Sequence, residues 1–243
     1  MEGTVVKQQQ QLSITWFGHS AFLLESPSGK RVLIDPWLDN PKAPKDATGI
    51  AGIDLICVTH GHEDHLGNTI ELAKRTGAAV LCNHEVGLYL KSKGLLAVQG
   101  INKGGTADIG GLRVTMVDAR HSGDLDMESP PLPGGEAAGY VIKFENGYTV
   151  YHAGDTAVFG DMQLIGRLYK PDLALLPIGD YYTMGPRDAA FACTLIKPKR
   201  IIGMHYGTVP ALTGTPELLK KALPAAMKRL VRVLEIGVAS RLS

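Results

Sequence analysis

The chain is a succession of short apolar runs, each closed by a cluster of Gly, Pro, Asp or His. Residues 12–16, 21–25, 31–34 and 55–58 read as strands, the last a continuous apolar stretch of the buried kind. Further strands are predicted over 78–82, 173–176, 200–204 and 231–236. Residues 106–109 and 112–117 form a hairpin across Gly110-Gly111, and 140–144 and 148–152 another across Asn146-Gly147. Helices are predicted over 68–76, 85–93, 162–168 and 187–196, and an amphipathic one over 216–230 that begins at a proline and runs through Pro224. Residues 8–11 read as a frayed lead-in. Segments 36–52 and 123–135 are long Pro- and Gly-containing loops, a length that in compact proteins is often functional.

The pattern repeats. Residues 21–35 are strand, Gly turn, strand, Asp, and so are residues 139–155. Ile53-Asp54-Leu55-Ile56 leads to His60-Gly61, as Pro171-Asp172-Leu173-Ala174 leads to Ile178-Gly179. Each half then has a helix and a strand ending in histidine, His84 and His205. Two related halves packed face to face would place these strand ends at one edge, under sheets covered by helices.

That edge changes the picture because of Thr59-His60-Gly61-His62-Glu63-Asp64-His65, where three imidazoles and two carboxylates fall within six residues. His60 and His62 leave an extended segment on the same side, and a turn can bring Asp64 and His65 to the same point. Neutral imidazole and carboxylate suit zinc and its first-row neighbours. A solvated polar loop explains one such histidine better than it explains three beside two acids. His121, Asp155 and His205 each follow an apolar strand, where they can meet this motif in a cleft.

Composition narrows the rest. The apolar fraction of 44% suffices for a sizeable core. With 25 Lys+Arg against 24 Asp+Glu, the net charge of +1 carries no footprint for nucleic acid or an anionic membrane. Cys57, Cys82 and Cys193 are too widely spaced for a CxxC site and read as buried thiols, which suits a reducing cytoplasm. The first eleven residues lack the apolar core of a signal peptide, and no apolar run approaches the roughly 18 residues of a membrane helix. A small-molecule substrate is therefore expected, with no nucleic acid and no membrane insertion; a homo-oligomer stays open.

The motif His60-Gly61-His62-Glu63-Asp64-His65, with Asp35, His121, Asp155 and His205, resembles the metallo-β-lactamase superfamily over nearly the whole chain. Phe17-Gly18-His19-Ser20, His152-Ala153-Gly154-Asp155-Thr156, Pro177-Ile178-Gly179-Asp180 and Thr183-Met184-Gly185-Pro186 look like its branch of uncharacterised prokaryotic metal-dependent hydrolases. That branch is similar to ascorbate-6-phosphate lactonase and, more distantly, to the phospholipase D that cleaves N-acyl-phosphatidylethanolamines. The resemblance implies one α/β domain over 1–243, a four-layer αββα sandwich of the metallo-β-lactamase fold. It implies two divalent ions: His60, His62 and His121 for the first, Asp64, His65 and His205 for the second, and Asp155 between them. Zinc is the leading metal, with Mn2+, Fe2+ or Ni2+ as alternatives. Asp35 would sit behind the site and hydrogen-bond the 60–65 loop.

Such a pair lowers the pKa of a shared water from about 15.7 to roughly 7 and supplies hydroxide for attack on a small ester, lactone or phosphoester. Asp64 would be both ligand and acceptor of the water's proton. The competing readings are a phosphodiesterase or nuclease of the same fold and a metal-binding protein without catalysis. The first lacks the basic regions of RNA-processing relatives, and the full ligand set speaks against the second. A di-iron oxidoreductase would prefer a carboxylate at His62. Of the remaining candidates, His19 reads as a substrate contact or a structural turn residue, and Tyr181, Tyr182, Thr183 and Met184 as a loop that either walls the pocket or packs. His152 reads equally as a core histidine, His84 as structural and Arg187 as solvated.

Overall fold

The protein was analysed as a computed structural model that describes residues 11–242; the lead-in expected over 8–11 lies almost wholly outside them. β1 (Leu12–Trp16), β2 (Phe22–Glu25) and β3 (Arg31–Ile34) make an antiparallel meander, continued in parallel by β4 (Leu55–Cys57), β5 (Ala79–Asn83) and β6 (Val98–Ile101). α1 (Glu63–Leu66), α2 (Thr69–Thr76) and α3 (His84–Ser92) occupy the crossovers. The second half repeats this plan. β7 (Thr106–Ile109), β8 (Leu112–Asp118), β9 (Ala138–Lys143) and β10 (Thr149–His152) are antiparallel, and β11 (Leu173–Pro177), β12 (Arg200–Met204) and β13 (Val231–Arg232) follow in parallel. α4 (Met162–Tyr169), α5 (Pro186–Ile196) and α6 (Pro216–Ala222) are its helices. The strand orders are β14-β1-β2-β3-β4-β5-β6 and β13-β12-β11-β10-β9-β8-β7, with β14 (Ser240–Leu242) returning from the second half to pair with β1.

Alternation along the strands builds three apolar layers. Ile14, Val32, Ile34, Leu55 and Cys57 meet Val114, Tyr140, Ile142, Leu175 and Met204 between the sheets. Leu33, Ile56 and Val80 point the other way, under Leu72, Val86 and Leu90 of α2 and α3. Ala174, Leu176 and Ile201 lie likewise under Ile165, Ala189, Cys193 and Leu219 of α4, α5 and α6. The result is the expected four-layer αββα sandwich. Each fully buried Leu, Ile or Phe contributes roughly 1.5–3 kcal/mol, so the strand ends stand on a rigid base. The hydroxyl of buried Tyr140 donates to the carbonyls of Val58 (2.8 Å) and Leu81 (3.3 Å), tying one sheet to the other below the 59–65 loop. All three cysteines are buried and free, as expected.

Two expectations for the C-terminal segment are corrected. The helix expected over 216–230 ends at Ala222; Leu223 is extended (φ −68°, ψ 146°), and a 3₁₀ segment covers Ala225–Leu230. Pro224 has no N–H and excludes its predecessor from the α region, which outweighs the amphipathic pattern. The strand expected over 231–236 shortens to Val231–Arg232, and the chain closes on β14 in the other sheet. No helix among the described residues is long and apolar enough to cross a membrane.

Candidate metal centre

Every candidate ligand follows the carboxyl end of a strand. His60, His62, Asp64 and His65 follow β4, His121 follows β8, Asp155 follows β10 and His205 follows β12. The packing of Gly61 explains its place in the motif: a Cβ there would lie 2.8 Å from the Gly123 carbonyl and 3.0 Å from that of Asp124. Only glycine lets the 123–135 loop lie across the motif, with Leu125 buried beneath it. After Gly61 the chain enters the single turn of α1, which swings Asp64 and His65 inward.

The donors form two groups that meet at Asp155. His60, His62 and His121 offer nitrogens within 4.8 Å of one another, and so do His19, His65 and His205 with an oxygen of Asp64. His60 Nε2 and His62 Nδ1 are 2.9 Å apart. Donors about 2.0–2.1 Å from one ion lie roughly 3 Å from each other, so this spacing fits a shared coordination sphere. Asp155 Oδ2 lies 2.9 Å from His205 Nε2, 3.2 Å from His65 Nε2 and 3.8 Å from His121 Nε2, reaching both groups.

Hydrogen bonds behind the donors fix which nitrogen faces inward. Buried Asp35 accepts the Thr59 N–H on Oδ1 (2.8 Å), and the Thr59 hydroxyl and His65 Nδ1–H on Oδ2 (both 2.7 Å). Asp35 thus holds the 59–65 loop as expected, and His65 turns Nε2 to the site. With the Thr59 proton committed to Asp35, its oxygen accepts from His60 Nδ1 (3.0 Å), which turns His60 Nε2 inward. His62 Nε2 faces Ser122 Oγ at 3.3 Å, leaving Nδ1 for the centre. Asp155 Oδ1 is buried without a partner, and His65 Nε2 and His205 Nε2, though within 3.2 Å of Asp155 Oδ2, are not aligned to hydrogen-bond it. Buried polar atoms rarely go unpaired, and these converge where a cation would satisfy them. The residues therefore fit divalent metal.

The electrostatics agree. Burial alone would depress His65 and His205, but Asp155 with Asp64 outweighs it. His205 is pushed up to about 9, and His65 well above the usual imidazole range. Burial opposes ionisation of Asp155, yet His205 and His65 hold it well below the usual carboxylate range. His60 is held low by burial, reinforced by His65.

His19 lines the cleft and is also held in a network of its own. It is 2% exposed, with Nε2 2.9 Å from Asp64 Oδ2 and Nδ1 2.6 Å from Thr208 Oγ1. Burial and the neighbouring His205 bring its pKa down to about 4, so a neutral ring takes the Thr208 proton and donates to Asp64. Its carbonyl accepts from Trp16 Nε1 (2.9 Å) and the His205 backbone N–H (3.0 Å), and its φ is +51°. Of the expected wall, Tyr182 alone lines the cleft; Tyr181 projects outward at 74% exposure and Met184 is in the core, 1% exposed. Residues 180 and 181 both take positive φ, which turns the loop away between the tyrosines and sends Met184 under α5. Thr183 also stays off the wall. Buried His152 is a satisfied core residue, its Nδ1 accepting from Gly154 N–H and its Nε2 donating to the Ser20 carbonyl (both 3.1 Å). Thr59, Trp37, Ser122, Asp126 and Thr208 also belong to the site and are not among the residues expected from sequence. Thr59 carried a signal in its place beside the motif; Thr208 carried none.

Comparison with known proteins identifies the family. The sequence matches the beta-lactamase superfamily domain over residues 30–206. It is 49% identical over 232 residues to a metal-dependent hydrolase of Methanosarcina mazei, covering 95% of this chain and 99% of that one. It is 48% identical over 213 residues to another from Koribacter versatilis, covering 87% and 91%. The structure of Igni18, a metallo hydrolase of the archaeon Ignicoccus hospitalis, superposes with a TM-score of 0.86 at 38% identity, over 96% of this chain and 99% of that one. The chain belongs to the β-lactamase superfamily and is one of its metal-dependent hydrolases.

Proposed function

We propose that this hydrolase, as one domain over 1–243, works with two divalent ions on small esters, lactones or phosphoesters. His60, His62 and His121 hold the first ion, Asp64, His65 and His205 the second, and Asp155 both. The observation that carries this is the reach of Asp155 Oδ2 to histidines of both groups. The histidine-rich set suits zinc, and a shared carboxylate also suits Mn2+, Fe2+ or Ni2+. When bound, such a pair supplies an activated water and Lewis acidity toward the substrate oxygen. Asp64 is positioned to take the water's proton, and the Thr208–His19 pair holds its carboxylate in place. A nuclease reading is disfavoured by the cleft wall, in which no Lys or Arg occurs among the described residues. Free buried thiols support a cytoplasmic location.

The test is metal analysis of protein made without chelator, combined with a panel of esters, lactones and phosphodiesters. Two ions per chain with turnover is the expected result; two ions without turnover would establish a metal-binding protein instead. His62→Ala should lose the first ion and at least about a hundredfold in activity together, and full metal retention would refute that assignment.

A pH dependence follows from the raised histidines. Without metal at pH 7, His205 keeps its proton, since its pKa stands near 9. An ion takes the lone pair that proton occupies, so loading releases it and apparent affinity rises with pH up to about 9. Calorimetry in buffers of different ionisation enthalpy should register the release. An affinity unchanged between about pH 6 and 8 would contradict it.

A further inference from the structure

Around the ligands, the cleft of about 550 Å³ is lined in two unlike ways. Trp37, Tyr182, Val209 and Leu212 give it an apolar and aromatic lining. Trp37 meets the His19 ring edge-on at 4.9 Å, Leu212 is 3% exposed, and Tyr182 overhangs at 58% exposure. Part of the cleft's rim is acidic. Glu63 and Asp126 both face solvent, and Asp126 Oδ1 accepts the Glu63 N–H at 2.7 Å, which fixes its carboxylate at the mouth. Among the described residues lining the cleft there is no lysine or arginine. Arg120, beside His121 in sequence, is turned away: its Nε is 2.9 Å from Asp118 Oδ2 and its guanidinium covers Phe159.

A phosphoryl group enters such a site already charged, and proteins that bind one usually add Arg or Lys to hold the non-reacting oxygens. Two divalent ions would attract a phosphoryl group at the centre, but nothing here adds to them, and on its way in an anion passes two rim carboxylates, whose field repels anions and concentrates cations. A carboxylic ester or lactone brings no charge; negative charge develops on its carbonyl oxygen only during reaction. Apolar carbon beside that carbonyl has the Trp37–Leu212 wall to rest on, where its burial is favourable in proportion to the area covered.

We propose that the cleft selects uncharged or cationic carboxylic esters and lactones with an apolar group, and discriminates against phosphoesters and other anions. This rests on the hydrolase reading above and narrows its substrate class. In the reaction the water oxygen bonds to the carbonyl carbon, the acyl C–O bond breaks, and the water's protons end on the products, a carboxylic acid and an alcohol.

The test uses the metal-loaded full chain and two matched series. The first is three para-nitrophenyl esters of equal length whose far acyl end is a methyl, a trimethylammonium or a carboxylate group, with bis(para-nitrophenyl) phosphate beside them. The second is the three corresponding hydroxamates, with phenylphosphonate, read by calorimetry without turnover. The cationic and neutral members should exceed the anionic one about tenfold in kcat/KM and in affinity, with the phosphorus compounds below them. The double variant Glu63→Gln, Asp126→Asn should erase most of that preference at unchanged metal content, since the asparagine amide keeps an acceptor oxygen for the residue 63 N–H. A preference for the anionic ester or the phosphodiester, or an order that survives the double variant, overturns the proposal. If no ester is turned over while the hydroxamates keep their order, the ester and lactone reading of the proposed function falls and the charge selectivity stands.

Discussion

Asp155→Ala is expected to cost the protein both metal positions and its activity while leaving the fold in place. The carboxylate is 2% exposed and within 3.8 Å of a nitrogen from each of His65, His121 and His205. Among the described residues no other acid reaches both groups in this way; Asp64 Oδ2 stands 3.7 Å from His205 and belongs to the second group alone. Removing one member of a buried ion pair usually costs about 3–5 kcal/mol because a charge is stranded. His65 and His205 can escape that penalty. Without Asp155 burial pulls both rings toward the neutral form, and any proton kept still faces Asp64 or, on His65, Asp35, so the stability loss should stay below about 3 kcal/mol. Metal binding has no such escape, because a negative donor common to both ions is gone. Activity should fall by at least about a thousandfold, the scale at which loss of a group acting on the transition state is felt. Metal analysis, far-ultraviolet circular dichroism and the substrate panel read the three effects separately. A folded variant that still held two ions per chain would remove Asp155 from the centre.

How much of this was legible in sequence differs by level. The strands were, because both sheets are buried on both faces and their apolar runs are long and bounded by Gly, Pro or Asp. Between-sheet and under-helix positions alternate so regularly in β3 and β4 that Val32, Ile34, Leu55 and Cys57 could hardly face elsewhere. β6 (Val98–Ile101) was not legible, since Gln99 and Gly100 interrupt its pattern, and three-residue β14 was too short to announce itself. The periodicity through Pro224 is overruled by a residue that cannot continue a helix, and α6 ends at Ala222. The donors were legible as residue types at strand ends, and the resemblance ordered them. The cleft walls were not. Trp37, Asp126, Tyr182 and Leu212 come from four loops in both halves, and only the packing of one half on the other brings them together. Local sequence therefore carries the chemistry of this protein, while the features that choose a substrate exist only after folding.

Asp35→Asn should separate the two ions from each other. Asp35 touches neither ion in the assignment proposed above; it acts through His65. It is fully buried with φ +45°, a conformation aspartate tolerates better than most residues, and three donors converge on its carboxylate. Asparagine keeps the shape and can accept the Thr59 N–H on Oδ1. It then turns an NH₂ toward His65 Nδ1, where a carboxylate oxygen had accepted a proton. Two donors cannot face each other, so His65 must move its proton to Nε2, the atom it turns toward the second position. The first group keeps its tautomers: Thr59 Oγ1 now accepts from the asparagine NH₂ yet has a second lone pair for His60 Nδ1–H, and His62 is held by Ser122. Stepwise metal titration should show the first ion binding nearly as before and the second weakened about 10- to 100-fold, the usual scale for losing a partner behind a ligand. Asp35→Ala strands all three donors instead, at about 1–3 kcal/mol for each unsatisfied group before relaxation, so the expected loss is about 3–5 kcal/mol of stability in urea. Equal weakening of both ions in the asparagine variant, or of neither, would show that Asp35 supports the loop as a whole and not the tautomer of His65.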